Sequence, residues 1–146
     1  MKSVAQILKT KADAAVHTVS PGTTVYDAIK LMGDKNIGAL LVTEGDRIVG
    51  MFTERDYARK IAIKGLSSRD TPVGDIMASP VMFVKPSQTN EECMALMTDN
   101  HLRHLPVMEG NRLIGLLSIG DLVKDLISEQ KFIIDQLEHY ISGSQY

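Results

Sequence analysis

The sequence predicts an α+β fold (α/β under some schemes) in which two β-α-β-β-α copies are related by a pseudo-twofold axis and followed by a long C-terminal helix. Three observations predict it. Shifted by 65 places, residues 16–57 lie over residues 81–122 without a gap and are identical at 14 of 42 positions, among them Pro21/Pro86, Gly45/Gly110, Gly50/Gly115 and Asp56/Asp121. Average composition would give about two or three such matches, so the chain contains a duplication. Within each copy, short apolar runs and helical stripes alternate across turn residues. Finally, an apolar stripe from Ile119 to Ile141 persists until Gly143, beyond the usual helix length of about 11–12 residues.

The elements follow in order. Val4-Ala-Gln-Ile-Leu8 and Val73-Gly-Asp-Ile-Met77 form a smaller echo, one ahead of each copy. Val16–Val19 and Val81–Val84 are opening strands, closed by Pro21 and Pro86, because the residue before proline is kept out of the helical region. Thr24, Ala28, Ile29, Leu31 and Met32, then Cys93, Met94, Leu96 and Met97, mark core-facing helices. Leu40–Val42 and Leu105–Val107 read as buried strands. Glu44–Arg47 and Glu109–Arg112 are tight turns, and Ile48–Phe52 and Leu113–Leu117 are the return strands. Second helices begin at Glu54 and Ile119. Each copy offers a three-stranded sheet too small to bury a large core alone, so two copies packed together are expected. The polar segment Gly65–Thr71, ending at Pro72, reads as the linker. The division is residues 1–72, a first domain with the N-terminal segment and linker, and residues 73–146, a second domain with the C-terminal helix.

Composition narrows the function. With 44% hydrophobic and 23% charged residues, the chain of 146 reads as globular. A formal charge of −2, no Trp and 5% aromatics argue against binding to nucleic acid or to an acidic membrane. No apolar run approaches the ~20 residues of a membrane span, and the first residues lack a secretion-signal core, so a cytoplasmic protein is expected. The lone Cys93 excludes an internal disulfide and reads as a buried, inert thiol. Of four histidines only His101 and His104 are close, without a carboxylate or thiol at ligand spacing, so no metal site is expected. No nucleophile has an evident base, so no enzyme site is expected either.

Thr53 and Ser118 each follow an apolar strand and precede a helix, with Asp56 and Asp121 three places on. That is helix-capping geometry. The same arrangement presents a carboxylate suited to accepting two O–H bonds from a ribose diol. The copies differ where Ile37-Gly38-Ala39 faces Leu102-Arg103-His104. Arg supplies a fork of donors for phosphate and His another donor, whereas Gly38 and Ala39 leave room for a base; a solvated strand end is the alternative. Arg55, in the first turn of a helix, opposes the helix dipole, which favours an anionic partner over a surface ion pair with Glu54 or Asp56.

The two stretches Gly50-Met-Phe-Thr-Glu-Arg-Asp56 and Gly115-Leu-Leu-Ser-Ile-Gly-Asp121, at one offset in one β-α-β-β-α context, resemble a tandem pair of CBS (cystathionine-β-synthase) domains, a Bateman module. Thr53–Lys60, Ser67–Val73 and Met97–Pro106 are similar to the small stand-alone CBS-pair proteins of bacteria and plant organelles. The resemblance covers essentially the whole chain. It implies a regulatory, signal-transducing module that senses AMP, ADP, ATP, NAD or S-adenosylmethionine in clefts between the repeats and acts on a separate, unidentified protein. AMP is the first expectation, with NAD or ATP next, and no cofactor is required. It also implies ribose contacts at Thr53, Asp56, Ser118 and Asp121 and phosphate contacts at Arg55, Arg103 and His104. Base contacts fall at His17, Ile37, Gly38, Ala39, Met82 and Leu102, with His17, Ile37 and Gly38 serving Ser118 and Asp121, and Met82, Leu102 and Arg103 serving Thr53 and Asp56. A homodimer is expected, a second copy being the simplest cover for the C-terminal stripe; a helix lying back across its own module is the alternative. The alternative is a ligand-free protein–protein interaction scaffold on the same dimer.

Overall fold

The structure is a computed structural model that describes residues 2–11 and 15–141. Its elements are α1 (Val4–Thr10), β1 (Thr18–Val19), α2 (Val25–Lys35), β2 (Ala39–Glu44), β3 (Arg47–Thr53), α3 (Glu54–Asp56), α4 (Asn90–Asn100), β4 (His104–Glu109), β5 (Arg112–Ser118) and α5 (Ile119–Ile141). A π-helical stretch, Tyr57–Ala62, continues α3, and a 3-10 turn, Val73–Asp75, precedes the second copy. Helix and strand are mixed and the sheets are short, so the fold is the α+β one expected. No helix of the described residues is long and apolar enough to cross a membrane.

The chain forms two compact units, whose segments alternate along the sequence. The first-repeat unit is Ala15–Met82 with Asn111–Leu113; the second-repeat unit is Met1–Ala14, Phe83–Gly110 and Ile114–Tyr146. A division at residue 72 follows the repeat in the sequence rather than these units, because the two echo segments pack away from the copies they precede. Val4 donates its N–H to Gln88 O, Ala5 to Pro86 O, and Asn90 to Lys2 O. Val73 donates to Thr23 O, Gly74 to Pro21 O, and Val25 to Thr71 O. The pattern is one clamp written twice. Each clamp supplies the free N–H at the start of a helix, α4 or α2, with a carbonyl partner it would otherwise lack.

The hydrophobic effect fixes the clamps as firmly as the hydrogen bonds do. Val4 and Ile7 are buried with Val84, Cys93, Met97, Leu105, Val107, Leu117 and Leu122, while Val73 and Ile76 are buried with Val25, Ala28, Met32, Leu40, Val42, Phe52 and Ile61. Gly115 and Gly50 explain their own identity here. A Cβ on Gly115 would lie 2.7 Å from Leu8 Cδ2, and one on Gly50 would lie 2.3 Å from Met77 Sδ. The polar linker is likewise anchored: Ser68 O accepts the N–H of Tyr26, and Arg69 stacks 3.9 Å over the Tyr26 ring.

The first sheet runs β1-β2-β3, β1 parallel to β2 (Thr18↔Leu41) and β2 antiparallel to β3 (Leu40↔Phe52), the hairpin turning at Gly45 with φ +59°. The second sheet has two strands, β4 and β5, in place of the three expected. Val84 alone bridges Val107 in parallel. In the first sheet Leu41 N–H bonds His17 O; its counterpart, Pro106, has no N–H to give, so the ladder cannot extend there.

Candidate ligand-binding site

Each unit ends its last strand on a hydroxyl residue that caps the following helix. Thr53 is extended (φ −123°, ψ 165°), and its Oγ1 accepts the N–H of Asp56 at 3.2 Å. Asp56 Oδ2 in return accepts the Thr53 N–H at 3.0 Å and the Thr53 hydroxyl at 3.1 Å. In the second-repeat unit, Ser118 Oγ accepts the N–H of Asp121 at 3.1 Å and Asp121 Oδ2 accepts the Ser118 N–H at 2.8 Å. These are reciprocal capping bonds with Asp in the acidic role, and the carboxylates also complement the positive helix ends.

Both acids carry a lysine, from places that are not equivalent in the repeat. Lys60 lies one turn along from Asp56, its Nζ 3.4 Å from Oδ1 and donating to Ile76 O at 2.9 Å. Lys11, just past α1, puts its Nζ 3.1 Å from Asp121 Oδ2 and donates to Leu116 O. The carbonyl of Met51, which corresponds to Leu116, is bonded instead by the backbone N–H of Ala78. Neither lysine is among the site residues expected from the sequence. The i, i+4 spacing of Asp56 and Lys60 was a readable signal. Lys11 carried none, because it reaches Asp121 only through the interleaving of the clamp.

The remaining sites fall as follows. Arg103 is exposed, and its carbonyl accepts the Ile119 N–H at 2.9 Å; His104 begins β4 and is partly buried. Burial, followed by the Lys11 ammonium, holds the His104 imidazole below its ordinary pKa against the opposing pull of Asp121, and Arg103 adds to the lowering. His104 is therefore a neutral donor–acceptor at pH 7 rather than a cation. Leu102 bonds back to Met97 O behind His101, which ends α4 with φ +54°.

In the first-repeat unit, Ile37 bonds back to Met32 O in the same way, and Ala39 is buried. Gly38 O accepts the Glu54 N–H, and the Glu54 carboxylate fills the space a Cβ on Gly38 would enter, 2.7 Å from Oε1. His17 is partly buried, with its carbonyl in the sheet, and Met82 is exposed. Arg55 is exposed and makes no ion pair among the described residues. No group of three or more His, Cys, Asp or Glu among the described residues is arranged to hold a metal ion.

Comparison with known proteins follows the same geometry. A family model described as "CBS domain" matches twice, at residues 4–63 and 73–128. The chain is 40% identical to the CBS domain-containing protein CBSX3, mitochondrial, of Arabidopsis thaliana over 97% of its length and 72% of that protein. It is 33% identical to the CBS domain-containing protein YhcV of Bacillus subtilis, covering 89% of each. Among solved structures, a protein with CBS domains from Burkholderia ambifaria superposes with a TM-score of 0.85 at 56% identity, covering 88% of this chain and 96% of that one. A structure of CBSX2 in complex with AMP superposes with a TM-score of 0.71 at 26% identity, covering 89% and 99%. Two family matches along one chain, with the capping Thr53–Asp56 and Ser118–Asp121 pairs in both, make this chain a member of the CBS-domain family, carrying the domain as a tandem pair.

Proposed function

We propose that this chain is a regulatory module that binds an adenosine nucleotide, AMP first among them, at its capping carboxylates and transmits occupancy to a separate protein. One observation carries the reading: in both units a carboxylate is held rigidly by backbone N–H and lysine donors while keeping lone pairs unused. A ribose diol donates two O–H groups, and an oriented carboxylate accepts them at little further entropic cost. Arg103, the residue before β4, supplies a planar donor fork for phosphate, and His104 an uncharged donor. The CBS family and the AMP-bound neighbour support the ligand class. Regulation follows if the nucleotide prefers one conformation, since a ligand shifts an equilibrium only by its differential affinity. A cytoplasmic setting is part of the proposal.

Thermal unfolding of the purified protein against AMP, ADP, ATP, NAD and S-adenosylmethionine tests it. A ligand at 100 times its dissociation constant adds about 2.7 kcal/mol, a rise of several degrees in Tm. No rise with any of them, in protein shown to be free of co-purified nucleotide, refutes the reading.

A second reading, a protein-interaction scaffold, has its own support in α5. Past Asp125 its apolar residues Ile127, Ile133, Ile134, Leu137 and Ile141 share one side of the helix and are all exposed. An apolar face of that length fits pairing with a second copy, the homodimer of this proposal. Light scattering of the intact chain beside one carrying Ile133→Glu and Leu137→Glu distinguishes a dimer that the variant dissolves from a monomer unaffected by it.

A further inference from the structure

The two capping carboxylates are not equally able to take a ligand. A carboxylate offers about four acceptor positions, two on each oxygen. On Asp121 both positions of Oδ2 are used, by the Ser118 N–H and the Lys11 ammonium, and Oδ1 has no partner among the described residues. On Asp56 the Thr53 N–H and hydroxyl use Oδ2, and the Lys60 ammonium stands 3.4 Å from Oδ1 in an ion pair, so a vicinal diol would have to share the remaining oxygen with it. The hydroxyls differ in the same sense: Thr53 spends its proton on Asp56, whereas the Ser118 proton has no acceptor among the described residues.

Resting on the nucleotide reading above, we infer that occupancy is ordered: Asp121 takes the ribose first, and Asp56 is latched by Lys60 and Thr53 until that lysine leaves. The lysine has somewhere to go. Its side chain borders a cleft of about 470 Å³ that Lys64, Leu66, Thr71, Asp75 and Met77 also line, so Asp75 offers it a second carboxylate.

Calorimetric titration with AMP tests the order. The wild type is expected to take one AMP per chain in its tighter event. Asp121→Asn, which keeps the Ser118 cap acceptor, is expected to weaken that event at least tenfold, and by more than Asp56→Asn does. Lys60→Met is expected to tighten the second event severalfold, or to reveal one. Two equal events in the wild type, or loss of the tight event in Asp56→Asn with its retention in Asp121→Asn, overturns the order while the nucleotide reading stands. No AMP binding by the wild type overturns both. Thermal melts of each variant separate lost binding from lost fold, and Lys60→Met carries the test if an Asp variant unfolds.

Discussion

Replacing Gly50 by alanine probes the interleaving directly, because the new methyl group points at the clamp. The added Cβ lies 2.3 Å from Met77 Sδ, 2.7 Å from Met77 Cγ and 3.1 Å from the backbone oxygen of Ala78. Gly50 is buried, so the strand cannot retreat into solvent; Met77 must rotate away or the Met51–Ala78 bridge must stretch. Overpacking of this kind costs about 1–3 kcal/mol. At about 2–4 °C per kcal/mol, that is roughly 2–12 °C in Tm. Met77→Ala alone removes a half-buried side chain, costing about half of the 2–5 kcal/mol of a fully buried methionine. In the double variant the sulfur is gone and only the Ala78 oxygen still crowds the methyl group. Its cost should fall short of the sum of the single costs by about 1–2 kcal/mol. Urea unfolding of the four proteins supplies the cycle, provided the m-values agree. Additivity within about 0.5 kcal/mol would mean that Met77 does not sit against Gly50, and the clamp assignment would fall. Gly115→Ala with Leu8→Ala repeats the test in the other unit, where the clash is with Leu8 Cδ2.

Three further outcomes are expected of the same fold. Lys2→Met should destabilise the protein by about 1–2 kcal/mol in urea unfolding: Asp125 is 6% exposed, and its Oδ1 has no hydrogen bond and only the Lys2 ammonium, 3.3 Å away, as partner. The 3–5 kcal/mol of a fully buried pair is discounted because Lys2 is half in water, and Asp125→Asn added to Lys2→Met should recover part of the loss. The lowered His104 pKa means that the unfolded chain binds a proton there before the folded one does, so its stability contribution is lost as pH falls below the ordinary histidine value of 6.5. A His104→Gln variant should show a flatter fall in Tm between pH 7 and 5 than the wild type; parallel curves would refute it. Burial, then the Glu92 carboxylate, pushes the Cys93 thiol up to about 11, so at pH 8 a maleimide should label native protein far more slowly than urea-unfolded protein, and equal rates would overturn the burial.

The duplication made most of the fold legible, because it doubled every weak local signal. Thr24 and Thr89 both cap helices, Asn36 and His101 both end them with φ +54°, and Gly45 and Gly110 both turn hairpins with positive φ. Each signal depends on neighbours within a few residues, which a sequence displays. What it concealed was long-range. The echo at Val4–Leu8 and Val73–Met77 was visible as a repeat, but the copy each segment joins depends on packing across some 80–120 residues for the first segment and up to about 50 for the second. The third strand of the second sheet was lost to one atom, the missing amide hydrogen of Pro106. The capping pairs were visible from spacing, while their lysines were not, since one of the two arrives from the opposite end of the chain.

That last difference shows how a duplicated chain acquires unequal sites. Duplication copied the acid, its capping hydroxyl and the glycine before them, but not the cation. Position 60 is lysine in the first copy, and its counterpart is Asp125, which is committed to Asn90 and Lys2 in the second-repeat core. With no lysine one turn along, Asp121 takes its counter-charge from Lys11, at the end of the clamp that the interleaving brings alongside. The ammonium binds the oxygen already engaged by the cap and leaves the other oxygen without a partner, whereas Lys60 takes that second oxygen on Asp56. One acid is thus charge-balanced with a free oxygen, the other charge-balanced by occupying it. On the proposed order, two copies of one motif become a site ready to accept a diol and a site that must first release a lysine, without a change in either acid.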